Sequence, residues 1–394
     1  MINVAILFGG KSPEHEVSVI SANQAIEALK GHNRYNIIPI YVSKKGDWYT
    51  HENLTDLKSY KDLSALLKGS HQVDVSLSRK SFFYTTTGFF KKTVEFKIDV
   101  AFPIFHGRHG EDGGVQGLFE LMNVPYVGSN VLASATTMDK VASKMILKES
   151  KINTLPYHWC YSDEWLLNPS TILDEIEAKF TYPLIVKPSD LGSSIGISKA
   201  NNRDGLEEAI HEASTYSTRI LIEPAITNLR EINCSVMGTH GEMETSVCEQ
   251  PLGSDEILSF TDKYKSGGGK SSKGMTSLKR KIPADITPEQ EAIIKNMANA
   301  TFKAFDSSGL VRIDFMIDLS NREIYVNEIN TIPGSLSFYL WQHSDIDFTQ
   351  LCERLLKIAI KKYSEKERLT FTFDANLLAD FAGGKASGGK MNKA

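Results

Sequence analysis

The sequence predicts an α/β protein of two or three domains that opens with a parallel sheet covered by helices. Three observations carry this expectation. A chain of 394 residues is long enough for two or three sizeable cores. Near the N-terminus, apolar runs stopped by glycine alternate with stretches of helical spacing. With 41% hydrophobic and 23% charged residues, the composition is that of an average soluble globular protein, and no apolar run is long enough to cross a bilayer.

Taken in order, INVAILF (Ile2 to Phe8) is a continuous apolar run ended by Gly9 and Gly10, and EVSVISANQAIEALK repeats apolar residues at helical intervals. That is strand, glycine turn, helix. NIIPIYV (Asn36 to Val42) and IDVAFPIF (Ile98 to Phe105) are further buried-type strands, the second followed by a helical VQGLFELMN. Between them, Ser81 to Phe96 reads as a hairpin turning at Gly88. A helix in MDKVASKMILKES opens a second unit, with strands at Tyr182 to Pro188, IGISKA and Arg219 to Ala225 around a helix near 203–217. A third unit holds strands REINCSVMG, METSVCEQ, GLVRIDFMID and REIYVNEIN, with helices around 288–306 and from Phe348 to Tyr363. The boundaries are 1–136, 137–227 and 228–366, followed by a tail, 367–394, whose Gly-, Lys- and Ser-rich end predicts disorder.

Composition also excludes some classes. MINVAILFGG lacks the basic start and cleavage site of a signal peptide, and a soluble cytoplasmic protein is expected. Cys160, Cys234, Cys248 and Cys352 lie far apart and form no C-x-x-C pair, so they read as reduced thiols, not as a disulfide frame or zinc site. Lys plus Arg is 44 against 48 for Asp plus Glu, a net charge of −4, and gives no argument for nucleic acid. From Lys263 to Lys281 there are nevertheless seven basic residues and no acidic one. Within it, SGGGKSSK looks like a phosphate loop but puts Tyr264 where a P-loop needs its first glycine, so a flexible basic loop is the better reading.

Chemistry can sit at a few places. Arg312 and Asp314 share a face of VRIDFMI, as Glu328 and Asn330 do in VNEIN. If the two strands are neighbours, two carboxylates and an amide make a hard-oxygen set suited to Mg²⁺; an exposed face of paired charges is an equal alternative. Lys187 closes an apolar strand before PSDLGSSIG, a loop able to aim backbone N–H groups at phosphate, although such loops are more often turns. Glu14, just before a helix, is either a cap or a holder for an ammonium group. FHGRHGEDGGVQG has more glycines than a plain turn needs, which suggests backbone close to a ligand. His106 and His109 lack the further ligands a metal would require. No nucleophile elbow or Cys/His pair appears, so acyl-enzyme chemistry drops out.

GGKSPEHEVSVIS, FHGRHGEDGGVQGLFELMNVPYVGS, TMDKVASK, LIVKPSDLGSSIGISK, LIEPAI, GLVRIDFM and NEINTIPG, in this order, resemble D-alanine-D-alanine ligases of the ATP-grasp superfamily from about residue 2 to 364. The resemblance implies an N-terminal substrate-binding α/β domain and two ATP-grasp domains clamping ATP, the last with a mobile loop at 253–281. It implies that Lys140 and Lys187 contact the phosphates, and that Glu223, Ala225 and Ile226 line the adenine. Glu231 is then the ribose partner, Lys263 a loop lysine, and Asp314, Glu328 and Asn330 the ligands of Mg²⁺ or Mn²⁺, as two ions. Glu14, Ser193 and Tyr264 match a hydrogen-bonded trio whose glutamate receives the first substrate's ammonium. Arg312 and the N–H of Gly334 match donors to the tetrahedral oxyanion, and His106 a group that orients substrate or phosphate.

The implied reaction phosphorylates the carboxylate of one D-alanine with ATP, and the amine of a second then attacks the acyl phosphate. One position departs from the pattern: the family's serine for the second substrate's carboxylate falls on Tyr339, followed by Leu340. Either the Tyr339 phenol takes that role, or Ser337 reaches in from a shifted backbone. A ligase with another second substrate, or a nucleotide-binding protein without catalysis, are the alternatives. The family also implies a homodimer with no membrane or nucleic-acid partner.

Overall fold

The computed structural model describes residues 1–86, 90–192, 194–252 and 280–372. The chain begins β1 (Ile2–Gly9), α1 (His15–Lys30), β2 (Tyr35–Val42), β3 (Trp48–Thr50), α2 (Leu63–Gly69) and β4 (His71–Gln72). It continues β5 (Asp74–Ser76), β6 (Ser81–Thr85), β7 (Thr93–Lys97), β8 (Val100–Pro103) and α3 (Gly114–Met122). β1 pairs in parallel with β2 and with β8, as the alternation of apolar runs and helices requires. The sheet order is β4-β3-β2-β1-β8, and beyond β2 it turns antiparallel. β3 and β4 escape a sequence reading because strands of three and two residues carry no period. β5, β6 and β7 form a small antiparallel sheet that contains the expected hairpin; its turn at Gly88 lies outside the described residues.

Next come α4 (Val131–Met138), α5 (Lys140–Glu149), β9 (His158–Tyr161), α6 (Ser162–Leu167), α7 (Pro169–Glu177), β10 (Leu184–Pro188), β11 (Ser198–Ala200), α8 (Arg203–Ser214) and β12 (Arg219–Pro224). The strands make an antiparallel sheet in the order β11-β10-β12-β9. Ile172, Leu173 and Ile176 of α7 and Leu206, Ala209, Ile210 and Ala213 of α8 recur at helical intervals. Both stripes are buried against Leu184, Val186, Ile220 and Ile222 of the sheet. Asn202 starts α8 by accepting the N–H of Gly205 on its side chain.

The last third runs β13 (Leu229–Thr239), β14 (Glu242–Pro251), β15 (Arg280–Lys281), α9 (Pro288–Ala304), β16 (Gly309–Asp318), β17 (Ile324–Asn330), α10 (Phe338–Gln342) and α11 (Phe348–Lys366). Its sheet, β15-β14-β13-β16-β17, is antiparallel throughout. Alternation puts Ile232, Cys234, Val236, Val311, Ile313, Phe315 and Ile317 on one face, where Ile294, Ala298 and Phe302 of α9 cover them. The opposite face is polar and builds the site.

Two features join the ends of the chain. Leu351, Cys352, Leu355, Leu356 and Ala359 of α11 share one core with Val4, Ile6 and Phe8 of β1 and Ala22 and Ile26 of α1. Gly309, at φ +73°, lies so close to Gly128 that a Cβ would come 2.7 Å from its Cα, and Ser308 Oγ donates to the Gly128 carbonyl at 2.8 Å. All four cysteines are buried free thiols. Among the described residues no helix is long and apolar enough to cross a membrane.

Candidate active site

Strand register builds the centre of the site. Asn233 of β13 faces Asp314 of β16, which faces Glu328 of β17; one step along, Ser235 faces Arg312, which faces Asn330. The four residues singled out near 310–330 are therefore neighbours on one face, as the strand alternation required. Arg312 donates from Nε and Nη2 to the two oxygens of Asp314, both at 2.7 Å, and Asn330 Nδ2 donates to Asp314 Oδ2 at 3.1 Å. The Arg312 and Asp314 side chains are only 14% and 17% exposed, so the alternative of a solvated strand face is not what is found. Burial pushes the Asp314 carboxyl up, and the Arg312 guanidinium pulls it back. Among the described residues no three His, Cys, Asp or Glu side chains gather as a metal cluster. The donor set here is two carboxylates and an amide, without thiolate or imidazole, and that all-oxygen chemistry fits Mg²⁺ or Mn²⁺.

Lysines face this row. Lys140 begins α5 behind the capping Asp139; its Nζ pairs with Glu328 at 3.1 Å and donates to the Leu191 carbonyl at 2.6 Å. Lys187 of β10 pairs with Glu223 of the adjacent β12 and donates to Asn327 Oδ1 at 3.3 Å, which ties the central sheet to β17. Lys144, one turn after Lys140, pairs with Glu223 from the other side at 2.8 Å and reaches Thr154 Oγ1 at 3.1 Å. Burial would raise the Glu223 carboxyl, but the two lysines hold it down at about 2. Burial likewise lowers Lys144. Lys144 was absent from the sequence reading, although its place four residues after Lys140 on one helix face was a usable signal. At the expected purine edge, the Ala225 N–H donates to the Pro183 carbonyl at 3.0 Å, and Ile226 follows it. Glu231 faces Met316 on the same side of β13 as Asn233.

Loops from the first unit close the other side. The Glu14 side chain makes no capping bond to α1, so the cap reading falls away. Its Oε2 lies between two glycines: a Cβ on Gly107 would come 3.2 Å from it, and one on Gly192 3.7 Å. Only glycine allows the first of these approaches, since Gly107 has φ +77° and its Cβ would also meet Ser12 Oγ at 2.7 Å. Ser193, the next residue after Gly192, lies outside the described residues. So do Lys263, Tyr264, Lys270 and Lys273, almost all of the 253–281 loop, and the tail from 373 onward.

His106 is buried, with Nδ1 2.8 Å from the Ile332 carbonyl and Nε2 3.1 Å from Ser21 Oγ. Both ring nitrogens are thus engaged by protein. His109 is exposed. Glu111, which the sequence reading passed over, accepts the N–H of Gly107 at 2.8 Å and of Ile332 at 3.1 Å. Burial, and then the nearby Glu14 charge, push its carboxyl up to about 8. His106 and Glu111 therefore grip the two polar groups of residue 332, and the Ser335 N–H donates to Ser21 Oγ at 2.9 Å. No sequence pattern links residues more than two hundred positions apart, so this clamp was not foreseeable.

The clamped segment continues through Gly334 into an unusual turn. Ser335, Leu336 and Ser337 have φ of +49°, +53° and +46°, left-handed values that L-residues avoid. Ser337 is fully buried, and its Oγ has no hydrogen-bond partner among the described residues. Tyr339 points its phenol at Glu249 Oε1, 2.9 Å away, with the Arg280 guanidinium 3.9 Å above its ring. Leu340 is wholly buried.

This arrangement can be set beside known proteins. Residues 3–129 match the family model described as D-ala D-ala ligase N-terminus, and residues 146–357 match D-ala D-ala ligase C-terminus. The D-alanine--D-alanine ligase of Thermosipho melanesiensis is 39% identical over 378 residues, 96% of this chain and 98% of that protein. Among solved structures, the VanG D-Ala:D-Ser ligase from Enterococcus faecalis is 31% identical with a TM-score of 0.76, covering 91% of this chain and 99% of its own. The D-alanine-D-alanine ligase from Coxiella burnetii has the same TM-score at 26% identity, covering 93% and 97%. With both family models matched in order and relatives covered almost end to end, this chain belongs to the D-alanine-D-alanine ligase family and has its ATP-grasp fold.

Proposed function

We propose that this protein is an ATP-dependent ligase joining two D-alanines, which supplies D-alanyl-D-alanine for peptidoglycan synthesis in the cytoplasm. The observation that carries the reading is the β16–β17 register, which assembles Arg312, Asp314, Glu328 and Asn330 within reach of Lys140. In this reading Asp314, Glu328 and Asn330 hold Mg²⁺ or Mn²⁺, which when bound offsets the charge of the transferred phosphoryl group. Lys140 and Lys187 attract the phosphates of ATP. Glu223, Ala225 and Ile226 line the base, Glu231 meets the ribose, and Lys263 belongs to the loop over them. Glu14 takes the first substrate's ammonium, with Ser193 and Tyr264 as its partners. Arg312 and the Gly334 N–H stabilise the oxyanion formed when the second amine attacks. His106, with both nitrogens engaged, orients substrate through the 332–335 backbone instead of by direct contact. A dimer is proposed on family grounds alone.

The test is release of ADP and phosphate on adding D-alanine to pure protein with ATP and Mg²⁺. A second reading, ligation to a different acceptor, is favoured by Tyr339 in the serine position and by the likeness to a protein titled D-Ala:D-Ser ligase. Turnover only when D-serine or a D-hydroxy acid is added beside D-alanine would support it. Silence with every substrate of a panel would leave a nucleotide-binding protein without catalysis.

A further inference from the structure

The loop that carries Glu14 is held by a buried pair of side chains outside the reaction centre. His15, the residue after Glu14 and the first of α1, is only 3% exposed. Its Nδ1 lies 2.7 Å from the Gly10 carbonyl oxygen and its Nε2 3.0 Å from the hydroxyl of Tyr41 on β2. A carbonyl can only accept, so Nδ1 carries the hydrogen and Nε2 accepts from the phenol. One tautomer of a neutral imidazole therefore satisfies both partners. Burial is the largest influence on both rings: it lowers His15 toward the neutral form and pushes the Tyr41 phenol up to about 12, so the donor keeps its proton.

Gly10 is thereby anchored at both of its polar groups. Its N–H donates to the Val42 carbonyl at 2.8 Å, and its own carbonyl takes the imidazole hydrogen. Gly9 and Gly10 have φ of +92° and +93°, the left-handed region that this turn between β1 and α1 requires. A Cβ on Gly9 would come 2.2 Å from the Val42 carbonyl oxygen and 3.1 Å from both His15 Cε1 and a ring carbon of Tyr41, so the turn is packed directly against the pair. Ser18 holds the same turn from the other side, since its Oγ accepts the Gly9 N–H at 2.8 Å and donates to the Ile104 carbonyl.

Glu14 depends on this scaffold because its side chain makes no capping bond to α1. Its N–H is held by Ser12 Oγ at 3.1 Å, and the His15 N–H by the Ser12 carbonyl at 3.2 Å. The course of the backbone from Gly9 to His15 thus sets where the carboxylate lies beside Gly107 and Gly192, and the His15 side chain ties that stretch to β2. Building on the ligase reading, in which Glu14 receives the first substrate's ammonium, we propose that His15 and Tyr41 are positioning residues of the first-substrate site. The Tyr41 hydroxyl selects the imidazole tautomer, the imidazole holds the Gly10 carbonyl, and the turn places Glu14. Both nitrogens of His15 are engaged by protein, so it acts through the turn and not on the substrate. A group displaced by about 1 Å loses much of what it contributes, so an error in the turn is felt first at the ammonium.

Initial-rate kinetics that separate the KM values of the two D-alanine sites and of ATP test this. His15→Ala should raise the first-site KM about tenfold or more and change the other values less than about threefold. Rescue separates a hydrogen bond from bulk: Asn carries an amide N–H about as far out as Nδ1, and Gln about as far as Nε2. His15→Asn should therefore return the first-site KM to within about threefold of wild type, while His15→Gln stays close to His15→Ala. Tyr41→Phe removes only a hydroxyl and should raise the first-site KM about threefold. In a double-mutant cycle, His15→Ala added to Glu14→Gln should change the first-site KM less than about twofold, because the carboxylate it places is already gone. Equal rises in every KM, rescue by Gln as complete as by Asn, or effects of His15→Ala and Glu14→Gln that add in full would make His15 a packing residue and overturn the proposal. If His15→Ala does not fold, the Asn, Gln and Tyr41→Phe variants, each checked by its melting temperature, decide the question. Failure of the ligase reading itself is distinguishable, since wild-type protein would then release no phosphate with D-alanine.

Discussion

The lysine cluster around Glu223 and the turn at residues 335–337, the proposed nucleotide and acceptor ends of the site, are stabilised in opposite ways. At the nucleotide end, Glu223 is buried between Lys144 and Lys187, and Lys140 pairs with Glu328. Charges there are matched by charges. At the acceptor end, three successive left-handed residues lead to a buried hydroxyl with no described partner. The first arrangement is at rest before anything binds; the second stores strain and an unmet hydrogen bond. A polyanion such as ATP needs fixed positive charge, whereas a small zwitterion of few atoms needs donors placed with little tolerance. The contrast is what the proposed function would require of each end.

Breaking the matched end should have the largest effect. Glu223→Ala leaves two buried lysines unpaired and should cost about 3–5 kcal/mol of stability, measured by urea unfolding. A loss under about 1 kcal/mol, the worth of a surface pair, would show that these lysines are not truly desolvated. Between the two ends, Arg312→Ala should lower kcat by about 10²–10³-fold, as loss of an oxyanion donor does, with a much smaller change in the KM for ATP. An equal change in both would place Arg312 with the nucleotide instead. At the strained end, Ser335→Gly removes one left-handed penalty and should stabilise the fold by about 1 kcal/mol. Destabilisation there would mean that the Ser335 side chain contributes more than its backbone costs.

A further test is one of pH. Glu111 holds its proton up to about 8 in the folded protein against an ordinary 4.5. Across that window the unfolded chain has lost a proton that the folded one keeps, so stability falls as pH rises, fully present below about 4.5 and lost through about 8. Glu111→Gln should flatten the decline of the unfolding midpoint between about pH 6 and 8. Parallel curves for both proteins would show that Glu111 is ionised in the fold.

Much of the fold was legible because it rests on local pattern. Apolar alternation in GLVRIDFMID and REIYVNEIN placed β16 and β17, and the faces it assigned to Asp314 and Glu328 are those found. Segments too short for a period were missed, such as the four residues of β9, and so was α7, whose stripe Ile172, Leu173 and Ile176 is only nine residues long in its helix. In the site, residues met in sequence motifs were found, while those defined by a distant partner were not. Glu249 means nothing in VCEQ until Tyr339 and Arg280 arrive from 90 and 31 positions away. His106 is visible as a histidine in a glycine turn, but its bond to Ile332 spans 226 residues. Long-range hydrogen bonds leave no trace in local spacing, so the clamp on residue 332, the Tyr339–Glu249–Arg280 cluster and the Lys144 pairing are contributions of tertiary structure.

The core shared by β1, α1 and α11 also bears on the order in which the protein can be made. Val4, Ile6 and Phe8 leave the ribosome well over three hundred residues before Leu351 to Ala359, with which they share a core. One face of the opening sheet can be covered early by α3, through Val115 and Phe119; α1 lies on the other through Ala22 and Ile26, but the core there is not complete until Leu351 to Ala359 arrive. Such late, long-range closure makes nascent chains dependent on whatever shields apolar surface in the meantime. Chains arrested before Phe348 should bind a hydrophobic dye or a holding chaperone strongly, and release it once Lys366 has emerged.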